Sequence, residues 1–176
     1  LGFGRIGKRI SEKAMSFGMN VIAYDPFLKQ NNVDGVKLLD LNQVLSNSDF
    51  ISLHLPLNDQ TNHIIDDKQF KLMKQDSILI NVSRGGLINE DSLIKYLSSG
   101  KLRGVGLDVI ETTIEKSNKL FSFDNVIITP HTAFFSQESS EELQLRSSQQ
   151  LYDVLKGFKP KFFINPEVLS NNVTLK

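Results

Sequence analysis

Two side chains suited to acid–base and carboxylate chemistry, Arg84 and His131, follow apolar runs of the chain. Arg84 precedes Gly85 and Gly86, and its planar guanidinium carries a fixed charge in a fork that fits a carboxylate. His131 follows Pro130, and an imidazole there can donate or accept a proton near neutral pH. Each residue alone also fits a plainer role, Arg84 as a surface residue of a polar loop and His131 as packing at a loop corner.

A glycine-rich loop opens the chain, with Gly2, Gly4 and Gly7 in the spacing G-x-G-x-x-G. The first glycine of this pattern suits a tight turn and the second lets backbone N–H groups approach a pyrophosphate. The third lets the next helix pack close to its strand. A helix that begins here directs the positive end of its dipole towards the phosphates. The loop therefore favours a dinucleotide site, although an ordinary glycine turn has the same spacing.

Asp25 ends the next apolar run, about 20 residues after the glycine loop, where dinucleotide-binding folds place an acid. A carboxylate at that point accepts hydrogen bonds from both adenosine ribose hydroxyls and repels a 2′-phosphate. Asp25 therefore favours NAD over NADP. The alternative is an exposed aspartate at a strand end, before the turn that Pro26 makes.

The composition is that of an ordinary globular chain and excludes several kinds of function. Of 176 residues, 40% are hydrophobic and 23% charged, with 20 basic and 20 acidic side chains, so no nucleic-acid surface is indicated. Cysteine is missing, which excludes disulfides and thiolate metal sites, and the three histidines lack a metal-ligand spacing. No apolar run is long enough to span a bilayer, and no signal-like segment occurs. We expect a cytoplasmic protein with no metal, nucleic-acid or membrane partner.

Short apolar runs alternate with helical patterns along the chain, which predicts parallel strands buried on both faces. The predicted strands are at 21–24, 50–55, 78–80, 105–109 and 126–128, and the predicted helices at 6–17, 41–45, 67–73, 89–100 and 136–156. Residues 28–37 are polar and are predicted to form a loop. The expected fold is α/β, a doubly wound parallel sheet of Rossmann type with helices on both faces and ligands at the carboxyl ends of its strands.

Four stretches together resemble the D-isomer-specific 2-hydroxyacid dehydrogenase family, and the similarity runs from residue 1 to about residue 168. They are Gly-Phe-Gly-Arg-Ile-Gly at 2–7, Ser-Asp-Phe-Ile-Ser-Leu-His-Leu-Pro-Leu at 48–57 with Thr61, Met-Lys-Gln-Asp-Ser-Ile-Leu-Ile-Asn-Val-Ser-Arg-Gly-Gly-Leu-Ile-Asn at 73–89, and Gly-Leu-Asp-Val at 106–109 with Thr-Pro-His-Thr-Ala at 129–133. The stretches around Arg84 and His131 are far more specific than the glycine loop, and they weigh against an accidental glycine turn.

The resemblance implies a two-domain enzyme that uses NAD to interconvert a small D-2-hydroxy acid and its 2-oxo acid. The nucleotide domain would be inserted into a substrate domain built from both ends of the chain, and the enzyme would be a homodimer. Arg84 would clamp the carboxylate of the 2-oxo acid and polarise its carbonyl, and His131 would protonate the developing alkoxide. The implied cofactor contacts are the loop residues Gly2, Gly4, Arg5, Ile6 and Gly7, the ribose-binding Asp25, the cleft residues Leu55, Pro56, Thr61, Val82 and Ser83, Asp108 at the nicotinamide amide, and Arg84 and His131 beside it.

One position departs from the family pattern. The family has a glutamate five residues after the aspartate that matches Asp108, and that glutamate pairs with the catalytic histidine, whereas this chain has Thr113. A carboxylate partner raises a histidine's pKa and fixes its tautomer, and threonine does neither well. Glu111 or Glu115 is a candidate substitute, and the other interpretation is a changed loop residue in a weakened or inactive relative.

An aromatic pair, Phe134 and Phe135, follows the histidine stretch and resembles the branch that contains the C-terminal-binding-protein corepressors and their dehydrogenase relatives. Core packing beneath the last helix explains the pair as well as a substrate or partner role does. Two functions follow, a working oxidoreductase and an NAD(H)-sensing relative that acts through a partner surface. Intact Arg84, Asp108 and His131 favour the oxidoreductase, whereas Thr113 favours the sensor.

The expected domain organisation is an NAD-binding domain at 1–158 followed by a return segment at 159–176. Only Leu1 precedes the glycine loop, so the first strand is expected to be truncated. The segment after residue 158 contains Pro160 and Pro166 without a clear period, and it resembles a return into a substrate domain whose N-terminal part is missing. Most residues that would recognise the substrate belong to that part.

Overall fold

A parallel β-sheet flanked by helices forms the first of two compact units, Leu1–Ala133, and a long helix lies in the second, Phe134–Lys176. The computed structural model describes residues 1–111 and 117–162. The predicted domain boundary between residues 158 and 159 stays a prediction, because the segment that would leave the domain lies mostly outside the described residues.

The described parts of the chain contain strands and helices with the following bounds. The strands are β1 (Ile22–Ala23), β2 (Asn32–Val33), β3 (Val36–Leu38), β4 (Phe50–Leu53), β5 (Ser77–Asn81), β6 (Leu102–Leu107) and β7 (Val126–Ile128). The α-helices are α1 (Arg5–Ser16), α2 (Leu41–Asn47), α3 (Asp67–Leu72), α4 (Glu90–Ser98) and α5 (Gln137–Leu155), with 3₁₀ turns at Gly85–Leu87 and Ser117–Ser122.

Strands β4, β5, β6 and β7 form a parallel sheet in that order. Because neighbouring strands are parallel, the chain returns from the end of one strand to the start of the next through a helix or loop. Strand β1 pairs in parallel with β3, and β2 pairs with β3 in the antiparallel direction. This parallel sheet flanked by helices confirms the predicted fold class.

Leu1 and Gly2 connect the two groups of strands. The Leu1 nitrogen donates to the Ser52 carbonyl at 2.7 Å, and the His54 nitrogen donates to the Leu1 carbonyl at 2.7 Å. On the other side, the Gly2 nitrogen donates to the Tyr24 carbonyl at 2.8 Å. The glycine loop therefore leaves the sheet between β1 and β4.

The main core lies between this sheet and helices α2, α3 and α4. Leu45, Leu53, Phe70, Leu79 and Leu93 are completely buried within it. Each large apolar side chain buried in this way contributes about 1.5–3 kcal/mol relative to an exposed one. The side chains of β5 alternate between buried and half-buried, as expected for a strand covered on both faces. The core thus fixes the strand ends that carry the site.

The prediction of a loop at 28–37 is wrong, because β2 and β3 form a hairpin there. Its turn consists of Asp34 and Gly35, which both have positive φ, 54° and 81°. Asp-Gly is a preferred sequence for the two-residue turn that joins such strands. Val36 is completely buried against Phe3 and Ala23, so this polar segment contributes to a second, smaller core.

Helices α2 to α5 begin at a side chain that caps their free backbone N–H groups, whereas α1 does not. The capping residues are Asp40, Asp66, Asn89 and Ser136. At α1, the first-turn N–H groups follow Gly4, which has no side chain to accept them, and no acidic residue lies in the first turn. The start of α1 is therefore available to an anion from outside the chain.

Two helices have exposed apolar residues. In α1, Gly7 and Ser11 are buried, whereas Ile6 and Ile10 are exposed, so these two apolar side chains face away from the sheet. Small residues on the inner face let α1 approach the sheet closely. Helix α5 has no buried residue.

Candidate active site and cofactor site

The predicted site residues follow strands whose ends lie side by side. The last residues of β4, β5 and β6 pair across the sheet, Leu53 with Asn81 and Asn81 with Leu107, and Leu107 pairs with Ile128 of β7. Parallel strands end at one edge of the sheet, so the residues that follow meet there. Those residues are His54 to Pro56, Val82 to Arg84, Asp108, and Thr129 to His131.

The glycine loop needs glycine at its first and third positions for space. Gly2 has a φ of +87°, and a Cβ there would lie 2.5 Å from the His54 carbonyl oxygen. A Cβ on Gly7 would overlap the carbonyl oxygen of Gly2. At Gly4, in contrast, a Cβ would meet no atom within 4 Å. Together with the uncapped start of α1, this open space next to backbone N–H groups fits a pyrophosphate.

Asp25 lies against the glycine loop. Its Oδ2 accepts a hydrogen bond from the Phe3 nitrogen at 2.9 Å, and its Oδ1 accepts one from the Phe27 nitrogen at 3.0 Å. Each carboxylate oxygen can accept a second hydrogen bond, so the half-buried side chain can still bind two hydroxyl groups. The structure therefore brings Asp25 and the glycine loop together.

Asn81 organises the turn that carries Arg84. Its side-chain nitrogen donates to the Arg84 carbonyl at 2.8 Å, and its side-chain oxygen accepts from the Ser83 nitrogen at 3.0 Å. Its own carbonyl accepts from the Asp108 nitrogen at 2.9 Å. Asn81 is 1% exposed, and it thereby links the arginine turn to the end of β6. The sequence analysis assigned no role to Asn81, although a lone amide at the end of an apolar run was a visible signal.

Asp108 holds the turn that contains His131. Its Oδ1 accepts from the Thr129 hydroxyl at 2.5 Å and from the Thr132 nitrogen at 2.8 Å, and its Oδ2 accepts from the Ala133 nitrogen at 2.9 Å. The His131 nitrogen donates to the Asp108 carbonyl at 3.0 Å, and His131 has a φ of +53°. The turn therefore presents the exposed imidazole from a fixed backbone.

Asp108 is ionised in this setting. Burial by itself raises the pKa of its carboxyl group, but hydrogen bonds from Thr129, Ala133 and Thr132 and the nearby His131 together lower it below its usual value. Oδ2 has one hydrogen-bond position left after Ala133, which is compatible with the predicted contact to a nicotinamide amide.

Other predicted cleft residues lie in the loop after β4 and in the arginine turn. The Thr61 hydroxyl donates to the Pro56 carbonyl at 2.6 Å and accepts from the Asn58 nitrogen at 2.9 Å, so it closes the loop on itself. Leu55 is buried beneath this loop. In the arginine turn, the Ser83 carbonyl accepts from the Arg84 guanidinium at 2.7 Å. Val82 is half-buried beside it.

A cleft of about 390 Å³ opens beside His131 at the ends of β6 and β7. Its walls are largely apolar and include Ile110, Phe121, Ile128 and Pro130, with Asp108 and His131 as the titratable groups. Such a cleft, with a few convergent polar groups, is typical of small-molecule sites.

Glu111 has another partner in the structure. Its Oε1 lies 2.6 Å from Nε2 of His63, so its carboxylate pairs with His63 beside the arginine turn. Thr113 and Glu115 lie outside the described residues, so the prediction that Glu115 is a partner of His131 in place of Thr113 stays a prediction. The sequence analysis gave His63 no role.

The aromatic pair is exposed. Phe134 and Phe135 are 59% and 67% exposed, and their rings meet edge to face at 6.4 Å. Among the residues that the structure describes, neither ring is buried in a core. Within the described residues, no helix is both long and apolar enough for a membrane crossing, and no cluster of acidic and histidine side chains could hold a metal ion.

Comparison with curated proteins finds several enzymes at similar identity. The chain is 41% identical over 160 residues to the D-3-phosphoglycerate dehydrogenase of Methanocaldococcus jannaschii, which covers 89% of this chain and 30% of that protein. It is 38% identical over 174 residues to the glyoxylate reductase of Thermococcus litoralis, covering 98% of this chain and 53% of that protein. The chain thus spans about half or less of the length of these relatives. They are named as enzymes, which does not favour the corepressor-like alternative.

The fold has solved counterparts. The D-lactate dehydrogenase of Lactobacillus jensenii, determined with NAD⁺, is similar with a TM-score of 0.83 and 31% sequence identity. The match covers 93% of this chain and 53% of that one. Residues 1–133 match the family described as D-isomer specific 2-hydroxyacid dehydrogenase, NAD binding domain. The glycine loop, the arginine turn and the histidine turn all lie within this match, and the chain belongs to the D-isomer specific 2-hydroxyacid dehydrogenase family, with NAD as its cofactor.

Proposed function

We propose that this chain is the NAD-binding domain of a longer enzyme that interconverts a small D-2-hydroxy acid and its 2-oxo acid. The observation that carries the proposal is the junction at Asn81, which ties the arginine turn to the strand end that bears Asp108. Asp108 in turn holds the turn of His131. Arg84, the proposed carboxylate-binding cation, follows β5, and His131, the proposed proton donor, follows β7, with the Asp108 end of β6 between them.

The chain's residues suit the two halves of the cofactor. The backbone N–H groups of Arg5 and Ile6 at the start of α1 would bind the pyrophosphate, and Asp25 would bind the adenosine ribose. Asp108 would accept a hydrogen bond from the nicotinamide amide. Bound NADH supplies the hydride for reduction of the 2-oxo acid.

Arg84 and His131 would act on the substrate. The Arg84 guanidinium would bind the carboxylate through two parallel hydrogen bonds and polarise the neighbouring carbonyl. His131, as an imidazolium, would donate its proton to the substrate oxygen as negative charge develops there. In the reverse direction, neutral His131 would take the proton from the hydroxyl group of the D-2-hydroxy acid.

The rest of the proposal concerns the whole enzyme. The nucleotide domain would lie within a substrate domain that supplies the other wall of the cleft, and which 2-oxo acid it prefers would be decided largely there. The enzyme would be a cytoplasmic homodimer, as the family resemblance implies. Exposed apolar residues on α1, including Ile6 and Ile10, supply surface that a second copy would cover.

The test measures NADH oxidation by the full-length protein with a panel of small 2-oxo acids, including glyoxylate, pyruvate and hydroxypyruvate. We expect turnover with at least one, and Arg84→Lys is expected to raise its KM about 100-fold because lysine lacks the planar fork. Arg103→Lys, at an exposed arginine of β6, is the matched control and is expected to behave as wild type. Binding of NADH without turnover of any 2-oxo acid would contradict the proposal.

A second measurement addresses Thr113. Thr113→Glu is expected to move the pH optimum for 2-oxo acid reduction upwards, because a carboxylate beside His131 would favour the protonated imidazole. Thr112→Glu places the same charge one residue away and serves as the control. An unchanged optimum in Thr113→Glu would mean that His131 does not depend on this position.

A further inference from the structure

A half-buried hydrogen-bonded pair of side chains next to the arginine turn has no part in the roles proposed above. His63 Nε2 and Glu111 Oε1 are 2.6 Å apart, and their side chains are 33% and 31% exposed. His63 lies in the loop that follows β4, and Glu111 lies in the loop that follows β6. Both line a cleft of about 290 Å³ in which Glu90, Asp91 and Lys119 are the other charged groups.

The two loops enclose the turn that carries Arg84. On one side, the His63 nitrogen donates to the Gly86 carbonyl at 2.8 Å. On the other side, Gly85 lies against the peptide between Ile110 and Glu111, so closely that a Cβ on Gly85 would overlap the Ile110 carbonyl group. The His63–Glu111 pair joins these two loops. The three contacts therefore link both loops to each other and to residues 85 and 86.

Both members of the pair are held by further backbone contacts. The Glu111 nitrogen donates to Oε1 of the buried Glu90 at 2.6 Å, at the start of α4. His63 has a φ of +50°, a left-handed conformation that a non-glycine residue adopts at a cost in free energy. In this conformation the imidazole of His63 contacts Glu111, and its backbone nitrogen donates to Gly86.

The direction of Arg84 depends on this turn. Arg84 is exposed, and its guanidinium donates to the Ser83 carbonyl of the same turn at 2.7 Å. A shift of the turn therefore moves the guanidinium with it. A bidentate grip on a carboxylate needs both N–H groups aligned, and a displacement of about 1 Å in such a group can cost about 100-fold in rate.

We propose that His63 and Glu111 are a positioning pair that holds the arginine turn so that Arg84 faces the carboxylate of the 2-oxo acid. The inference rests on the proposed function. Neither residue touches substrate or cofactor, and both act through the backbone of residues 85 and 86. The pair is separate from the glycine loop and from Asp25, where the pyrophosphate and the ribose are proposed to bind, so it affects binding of the 2-oxo acid more than binding of NADH.

The test compares variants of the full-length protein in steady-state kinetics and in NADH titrations. Glu111→Ala and His63→Asn are each expected to raise KM for the 2-oxo acid about tenfold, with smaller changes in kcat and in the Kd for NADH. Asparagine tolerates the left-handed backbone at position 63 but is too short to reach Glu111. Glu111→Gln keeps an oxygen that accepts from the imidazole, and it is expected to stay within about twofold of wild type.

The controls separate positioning from simple stabilisation. Asp49→Ala removes an exposed ion pair with Lys74, 2.9 Å long, at the amino ends of β4 and β5 and away from the carboxyl ends that carry the site, and it is expected to leave KM unchanged. The double variant His63→Asn/Glu111→Ala is expected to be no worse than either single one, because losing one partner already breaks the pair.

Two results would overturn the inference. One is a lower Tm in Glu111→Ala with a wild-type KM, and the other is an equal rise in KM for the 2-oxo acid and in Kd for NADH. Turnover by the wild-type protein separates failure of the proposed function from failure of the positioning role. If wild type reduces no 2-oxo acid, the proposed function and the positioning role fail together; if it does, and the variants keep its KM, only the positioning role fails.

Discussion

Asp25 connects the end of β1 with the glycine loop, and its charge is the feature that distinguishes the two nicotinamide cofactors. The carboxylate accepts from the Phe3 and Phe27 nitrogens and keeps hydrogen-bond positions for ribose hydroxyls. A 2′-phosphate in the same place would meet a fixed negative charge. We therefore propose that cofactor preference depends on Asp25, whereas cofactor binding is shared with the loop.

Asp25→Asn is expected to weaken NADH binding and to strengthen NADPH binding, changing the preference about 10- to 100-fold. The amide keeps an oxygen for one ribose hydroxyl but removes the repulsion of the phosphate. Fluorescence titration with each cofactor measures the two Kd values. Asp124→Asn, at an exposed aspartate before β7, is expected to leave both unchanged. An unaltered preference in Asp25→Asn would contradict the assignment.

His54 lies beneath the glycine loop and is neutral in the folded protein. Burial first, and the nearby amino group of Leu1 second, lower its pKa to about 4 from a usual value of 6.5. Its Nε2 is 2.9 Å from the Ser52 hydroxyl. Above pH 6.5 the folded and unfolded states are both neutral at this residue. As the pH falls from 6.5 to about 4, only the unfolded state binds the proton, so the free energy of unfolding decreases.

Denaturant unfolding of this chain at about pH 7 and about pH 4.5 is expected to show a loss of roughly 2 kcal/mol. His54→Asn removes the titrating group, and its stability is expected to change much less over the same interval. Other groups whose pKa values are lowered, including the Leu1 amino group, Glu138, Asp66 and Asp108, titrate alike in both proteins, so the difference between the two proteins isolates His54. Equal pH dependence in both proteins would contradict the role of His54.

At the scale of elements, the glycine loop and α1 contain one glycine that is needed for packing and another that faces the proposed cofactor site. Gly7 packs against the carbonyl oxygen of Gly2, whereas Gly4 faces open space at the start of the helix. Helices α2 to α5 satisfy their first N–H groups with side chains, and α1 leaves them for a ligand. The two glycines therefore have different functions within one motif.

Gly7→Ala is expected to destabilise the domain by about 2 kcal/mol or more, because a Cβ there overlaps backbone. Gly4→Ala is expected to change stability by less than about 1 kcal/mol and to weaken NADH binding about tenfold or more, since its Cβ occupies the space proposed for the pyrophosphate. Thermal melts and NADH titrations of both variants provide the comparison. Equal stability losses in the two variants would refute the distinction.

Sequence patterns predicted the elements of this sheet well, with a clear exception. The apolar runs at 50–55, 78–80 and 126–128 became β4, β5 and β7, and Asn89 caps α4 as expected. The hairpin within 28–37 was missed because its strands are short and mostly polar. Their formation depends on the Asp34-Gly35 turn and on the burial of Val36, which becomes apparent only when β3 pairs with β1.

At the scale of the whole molecule, the chain carries the cofactor half of the proposed active site. Arg84, Asp108 and His131 lie at one edge of the sheet, and the proposed second wall belongs to a substrate domain. Closure of such a cleft excludes water and completes the binding of substrate. Binding of NADH and turnover are therefore expected to separate when the nucleotide domain is studied alone.

The 176-residue chain is expected to bind NADH and to reduce 2-oxo acids about 100-fold or more slowly than the full-length protein. NADH titration and single-turnover assays of both proteins at equal concentration test this. Sedimentation of the full-length protein checks the proposed homodimer in the same preparation. Turnover by the chain at the full-length rate would contradict the proposed division of the site.

The sequence by itself determined the fold class and the family, because strand periodicity and the short motifs around Gly2, Arg84 and His131 are local properties, whereas the roles of those residues stay predictions. The tertiary structure decided how these residues are held. Asn81 joins the arginine turn to Asp108, Asp108 fixes the histidine turn, and His63 pairs with Glu111 across residues 85 and 86. Those contacts join residues far apart in the chain, and only the register of the parallel strands brings them to one edge.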